Sequence, residues 1–324
     1  MRRGSRYVLL AAGGLALAVA AASAQSPDLR LIDAVKRQRA PAIAALLDAA
    51  GGPGGPDVNA AQPDGATALH WAAYHDDLET ARRLADVGAD ASAANDLGVT
   101  PLALACDNGN PGMVRLLLEA GADPGAAVET GETVLMTCAR TGNAEAVRRL
   151  LDAGAGVNAR ESLEQQTALM WAAAQGHADV VQLLLDRGAD VRARSRARRF
   201  VISRRLQSEL RYGELGRSYG TDAEETQIGG FTPLLFAARN GDVEVARRLL
   251  DAGADANDTA PDGASALVVA AHSGHRDLVL ALLDRGANPN ASGAGYTALH
   301  AAVLTGDIEV VEALLARGAS PNAQ

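Results

Sequence analysis

The chain has 324 residues, 48% hydrophobic but only 3% aromatic, with a formal net charge of −9. So few aromatic side chains exclude a bulky aromatic core and call for thin layers of Ala, Leu and Val. The acidic balance argues against a protein whose main partner is nucleic acid or an anionic membrane.

The first residues read "MRRGSRYVLLAAGGLALAVAAASAQS". Arg2, Arg3 and Arg6 precede an uncharged apolar run over 7–22, and Ala22-Ser23-Ala24 supplies a small-x-small site. This is the layout of a secretory signal peptide over 1–24, and the run is short for a membrane span. The expectation is an exported protein, periplasmic or secreted, with no stable membrane span once the signal is cleaved. Cleavage after Ala24 removes three arginines and no acid, taking the charge from −9 to −9 − 3 = −12.

Residues 25–324 repeat themselves. Thr67, Thr100, Thr133, Thr167, Thr232, Ser265 and Thr297 recur at spacings of 33, 33, 34, 65, 33 and 32, and Gly88, Gly121, Gly154, Gly188, Gly253, Gly286 and Gly318 follow in step. Periodicity of this kind means a solenoid. In "GATALHWAAYHDDLETARRLADVGADASA" the Thr67 hydroxyl caps a first helix, small residues line one face of it, a turn follows, and a second amphipathic helix ends at Gly88. Polar segments with Asn, Asp and Gly between units predict hairpin turns.

With its "TPL", "TALH" and "GAD" landmarks the chain resembles ankyrin repeats. The resemblance implies an all-α ankyrin repeat solenoid of helix-turn-helix units with short β-hairpin fingers. Repeats are expected at 65–97, 98–130, 131–164, 165–194, 230–262, 263–294 and 295–324. Residues 29–60 read as a degenerate N-terminal capping repeat, polar at Arg30, Lys36, Arg37, Gln38 and Arg39. The last repeat has no evident polar cap, so its outer face is a candidate for self-association.

The double-length interval leaves 65 − 33 = 32 extra residues, placed at 195–229 as an Arg-rich finger insertion. Such a loop costs little closure entropy. Residues 192–205 hold seven Arg and no acid. Ile202, Leu206 and Leu210, four residues apart, predict a short amphipathic helix over 198–212, broken by the glycines that follow.

No nucleophile elbow, phosphate-binding loop, zinc-protease helix or spaced Cys pair is present, so no catalytic, cofactor-binding or metal-ligating residue is predicted. His70 and His300 fall in "TALH", where the resemblance gives them a bond to the helix-opening Thr; His177 and His275 occupy the turn. Cys106 and Cys138 are expected to be buried free thiols, because helices stacked about 8–10 Å apart exceed the roughly 7 Å Cα reach of a disulfide. Trp71, Trp171 and Phe236 are read as core.

The resemblance also implies a concave binding surface made by fingers and first helices. Tyr74, His75, Arg140, Phe231, Arg239, His272 and Tyr296 are the candidate partner-binding residues there, with Arg198, Arg199, Arg204 and Arg205 in the insertion. The function predicted is a non-catalytic protein-protein interaction scaffold of the cell envelope. The alternatives are an enzyme accessory or weak enzyme with a site between insertion and groove, and polyanion or membrane-surface binding through the arginines. A solvated loop neutralised by the protein's own acids is a further reading of the insertion.

Overall fold

The computed structural model describes residues 28–203, 223–293 and 296–322, with the backbone alone at 200–203, 223–226 and 293. The signal expected at 1–24, and Arg204 and Arg205, lie outside the described residues. The chain divides into two compact units, 1–128 and 129–324, each a stack of paired helices.

The first unit holds α1 (Arg30–Lys36), α2 (Ala40–Asp48), α3 (Ala68–Tyr74), α4 (Leu78–Asp86), α5 (Pro101–Asn108) and α6 (Pro111–Glu119). The second holds α7 (Val134–Thr141), α8 (Ala144–Asp152), α9 (Ala168–Gln175), α10 (Ala178–Asp186), α11 (Pro233–Asn240), α12 (Val243–Asp251), α13 (Ala266–His272), α14 (Arg276–Asp284), α15 (Ala298–Thr305) and α16 (Ile308–Ala316). Its strands are β1 (Ala197–Ser203) and β2 (Ala223–Gly229), and the short β3 (Ser292–Gly293) and β4 (Tyr296–Thr297).

Helices of seven to nine residues are too short to persist alone in water. Two local devices start them. The side chains of Thr100, Thr133, Thr167, Ser265 and Thr297 each accept the N–H three residues on, at 3.2–3.4 Å. Asp77, Asn143, Asp242 and Asp307 do the same for second helices. Such a cap contributes about 1 kcal/mol. The rest comes from stacking, which leaves Leu84, Leu150, Leu184, Leu249, Leu282 and Leu314 fully buried.

Neighbouring repeats within a unit are tied by residues at fixed positions. Asn158 donates to the Gly188 carbonyl at 3.0 Å and accepts from the Asp190 N–H at 2.8 Å. Asn59 and Asn290 repeat this pair of bonds with their own neighbours. On the second helices, Arg187 pairs with Asp152 at 2.8 Å and Arg285 with Asp251 at 2.6 Å.

The histidines take the bland roles expected for them. His70 Nδ1 accepts the Thr67 N–H at 3.1 Å, and its Nε2 lies 3.0 Å from the Val99 carbonyl; His300 is bonded to Thr297 in the same way. The Nε2 of His177 reaches the Arg140 carbonyl at 3.0 Å, and that of His275 the Arg239 carbonyl at 3.1 Å. This explains a glycine. Gly142 has φ of +82°, and a β-carbon on it would meet the His177 ring at 2.5 Å, so only hydrogen fits there.

Two expectations are corrected. Neither Cys106 nor Cys138 is a free thiol: both are in the disulfide state. The expectation rested on a generic helix spacing, which is too wide where first helices meet through alanine. Ala172, Ala173, Ala237 and Ala238 are fully buried, and small residues at a contact let backbones approach more closely. The second correction concerns the insertion. Residues 197–203 are a strand, paired antiparallel with 223–229 from Ala197↔Gly229 to Ser203↔Ala223; the remainder of the helix expected at 198–212 lies outside the described residues.

The strand follows from where the insertion is rooted. In ordinary fingers one backbone bond closes the turn: Gln62 N–H to Ala66, Asn95 to Val99 and Ala260 to Ala264. Its counterpart in the long finger is Ser195 N–H to the Phe231 carbonyl at 2.9 Å, and the Phe231 N–H returns to Ser195 Oγ. Separations of four residues there and 36 here differ by the 32 inserted residues. The finger therefore holds both chain ends side by side, and "RRFVIS", rich in residues that favour strands, continues that ladder.

Candidate protein-binding site

Three positions per repeat put side chains where finger base meets first helix: the residue before the helix-opening Thr or Ser, and those four and seven beyond it. In the second unit Phe231, Phe236 and Arg239 occupy them in a single repeat. The two rings pack edge to face with centroids 5.6 Å apart. The Arg239 guanidinium lies over both, 5.8 Å from Phe231 and 5.4 Å from Phe236. Phe231 is also the root of the β1–β2 hairpin, so the long finger and this cluster share a residue.

In the preceding repeat the ring is Trp171, and Arg140, from the repeat before that, lies over it at 5.9 Å. Trp171 is half-buried and its indole Nε1 is enclosed with no partner among the described residues. Phe236 is buried, as its reading as core expects, whereas Trp171, also read as core, is half-buried and lies on this face. The available signal was the cation placed near each ring: Arg239 stands three residues after Phe236 on the same helix. Contacts of this kind contribute roughly 0.5–1 kcal/mol at exposed sites. His272 is exposed at the end of α13, and Tyr296 is 46% exposed beside His300, with ring centroids 6.5 Å apart.

Tyr74 and His75 belong to the first unit and form a separate cluster. Tyr74 is 45% exposed and packs edge-on to Trp71 at 5.7 Å and to His75 at 5.3 Å. His75 Nε2 lies 3.0 Å from the Lys36 carbonyl, so the ring is engaged in the inter-repeat bond that His177 and His275 make elsewhere. Lys36 Nζ stands 4.3 Å over the Trp71 ring, whose Nε1 donates to Gln62 Oε1 at 2.8 Å. Desolvation holds the buried His70 imidazole below its ordinary pKa, so it stays neutral as part of the scaffold.

The insertion's arginines turn inward at its base. Arg194 pairs with Asp258 and donates to the carbonyls of Thr259 at 2.9 Å and Gly230 at 3.0 Å. Arg196 donates to the Ser162 carbonyl at 2.9 Å, and Arg198 pairs with Glu164 and reaches the Leu163 carbonyl at 3.3 Å. Arg192, standing where other repeats carry the bridging Asn, donates to the Gly253 carbonyl at 3.4 Å. These bonds clamp the hairpin between the fingers on either side, and they favour neutralisation by the protein's own groups over a polyanion site. Arg199 is exposed on β1.

Among the described residues no group of three or more His, Cys, Asp or Glu is placed to hold a metal ion, and no helix is long and apolar enough to cross a membrane. Stacked helix pairs with hairpin fingers and an aromatic-cationic face define a repeat-type interaction module. The family model of ankyrin repeats in three copies matches residues 31–128, 125–195, 214–293 and 234–324. The chain belongs to the ankyrin repeat family, whose repeats are protein-protein interaction modules and typically not enzymes. Among solved structures it is similar to the ankyrin repeat domain of Bcl-3, described as a unique member of the IkappaB protein family, at 29% identity and a TM-score of 0.57 over 78% of this chain and 99% of that one. It is also similar to the human ASB11 ankyrin repeat domain, at 25% identity and a TM-score of 0.60 over 80% and 98%. A comparison with the curated proteins returned no match.

Proposed function

We propose that this chain is an exported, non-catalytic scaffold of the cell envelope that binds a protein partner along the finger bases and first helices of residues 129–324, with the β1–β2 hairpin walling one side. The observation that carries this is the Arg239–Phe231–Phe236 stack at the hairpin root. Aromatic and arginine side chains are what interface hot spots are made of; here Arg239 is exposed on α11 and Phe231 half-open at the finger base, with the buried Phe236 ring behind them. Export is supported by the charged, apolar, small-residue order of 1–24 and by the disulfide state of both cysteines, which persists in oxidising compartments.

A photo-crosslinking residue at position 272 should trap a partner in cell-envelope extracts. The same residue at position 247, on the second helix α12, should not. Equal trapping at both positions, or none by folded protein, would remove this reading of the surface. Fractionation with N-terminal sequencing tests export; the mature chain is expected to begin at Gln25.

A further inference from the structure

We infer that the partner lies on this surface as an extended segment with a carboxylate for Arg239 and, about five or six residues away, a large apolar side chain for Tyr296 and Leu304. The inference rests on the binding surface proposed above and specifies what it recognises.

Arg239 is the cation left open here. Arg187, Arg194, Arg198, Arg276, Arg285 and Arg317 each pair with a carboxylate. Arg239 is exposed, and its guanidinium has no carboxylate or carbonyl partner among the described residues; it lies instead over the rings of Phe231 and Phe236, at 5.8 and 5.4 Å. The rings fix the plane of the guanidinium and keep water from one side of it, leaving the N–H groups at its edge to form paired bonds with an acid. The protein's own acids do not compete. From Gln166 onward, the positions one before the helix-opening residue and four, seven and eight beyond it carry no carboxylate in four successive repeats. In the bordering fingers Glu164 pairs with Arg198 and Asp258 with Arg194. In a chain of net charge −9, an unpaired cation on an acid-free strip selects an acidic partner.

The apolar end lies in the same column. Leu304 is seven beyond Thr297, as Arg239 is seven beyond Thr232, and it is 71% exposed. Arg239 and His272 are exposed at this position in repeats with a neighbour on each side, so the exposure of Leu304 follows from the column it occupies. Tyr296, one before Thr297, is 46% exposed and stands where Phe231 stands in the repeat of Arg239, and there these two positions touch. Large apolar side chains left open together on a rigid repeat suit an apolar side chain of a partner.

The spacing follows from the stack. Arg239 and Leu304 stand two repeats apart, roughly 16–20 Å at about 8–10 Å per helix layer. An extended chain rises about 3.3 Å per residue, so the acid and the apolar residue lie about five or six residues apart. His272, exposed midway, suits polar residues between them.

The test titrates the full chain with synthetic peptides and follows its backbone amide resonances. Ac-DSTSTL-amide and Ac-LSTSTD-amide present the spaced pair in both chain directions, and Ac-STDLST-amide brings the same pair together. One spaced peptide is expected to shift the amides of 239 and 304 together and to bind about fivefold more tightly than the compact one. R239Q should weaken it about tenfold and leave the binding of its Asp→Asn form unchanged; Leu304→Ala should weaken it about fivefold and leave the binding of its Leu→Ser form unchanged. R247Q on the second helix should change nothing. Equal binding of the compact peptide, independent losses in either pair of changes, or no shift at 239 or at 304 with both directions overturns the inference. Binding of phosphatidylglycerol vesicles that R239Q abolishes also overturns it, since the arginine would then serve a lipid headgroup. If crosslinking at position 272 still traps a partner while the spaced peptides shift neither 239 nor 304, the surface stands and this chemistry falls.

Discussion

Trp71 and Trp171 occupy the same place in two repeats and live in different surroundings. In the first unit the Trp71 N–H is bonded to Gln62, and His75 is tied to the Lys36 carbonyl. In the second, the finger residue corresponding to Gln62 is Glu161. Its carboxylate accepts the N–H groups of Leu163, Glu164 and Gln166 at 2.6–2.9 Å, so it braces its own turn and Trp171 goes without. One finger residue thus decides whether the ring below it completes a closed structural cluster or keeps its donor unused.

Four changes would break or sharpen that contrast. Removing the Glu161 carboxylate has the largest expected effect: Glu161→Ala takes the acceptor from three part-buried N–H groups and should cost about 3 kcal/mol, read by urea unfolding, with hydrogen exchange accelerated at 163–166. Trp71→Phe should cost about 1–2 kcal/mol, since it removes an indole bond and strands the Gln62 amide. The third change is in pH. His70 has a folded pKa depressed by burial, so the unfolded chain binds the proton more readily. Stability is full above the unfolded value and falls as pH drops below about 6.5. The loss should appear in hydrogen exchange of α3 and be absent from His70→Gln. Smallest is Trp171→Phe, which deletes a donor that has no partner among the described residues; its stability, read by urea unfolding, should stay within about 0.5 kcal/mol of the parent. A Trp171→Phe cost equal to that of Trp71→Phe would mean that the two sites do not differ.

Much of the scaffold was legible because it is local. Thr100, Thr133, Thr167, Ser265 and Thr297 cap helices that begin one residue later, and the chemistry of a cap is contained within four residues. His177 and His275 were placed in their turn correctly by repetition. The expected binding surface was partly readable: Phe231, Arg239 and Arg140 do meet aromatic neighbours. His75, by contrast, is tied to the Lys36 carbonyl of the preceding repeat, 39 residues away, a distance no local pattern encodes. The four-residue spacing of Ile202, Leu206 and Leu210 pointed to a helix, but pairing with 223–229 is a non-local event that periodicity cannot see.

By itself the sequence determined the period, the helix starts and stops, the family and the length of the inserted finger, since each is written in residues that interact within a few positions of themselves. Tertiary structure alone decided that the insertion leaves its root as a β-ribbon, that Arg194, Arg196 and Arg198 clamp it to fingers on either side, and that Trp171 keeps an unused donor where Trp71 does not. The physical reason is common to all three. A hydrogen bond is satisfied by whichever group lies within about 3 Å, and between repeats that group is set by stacking.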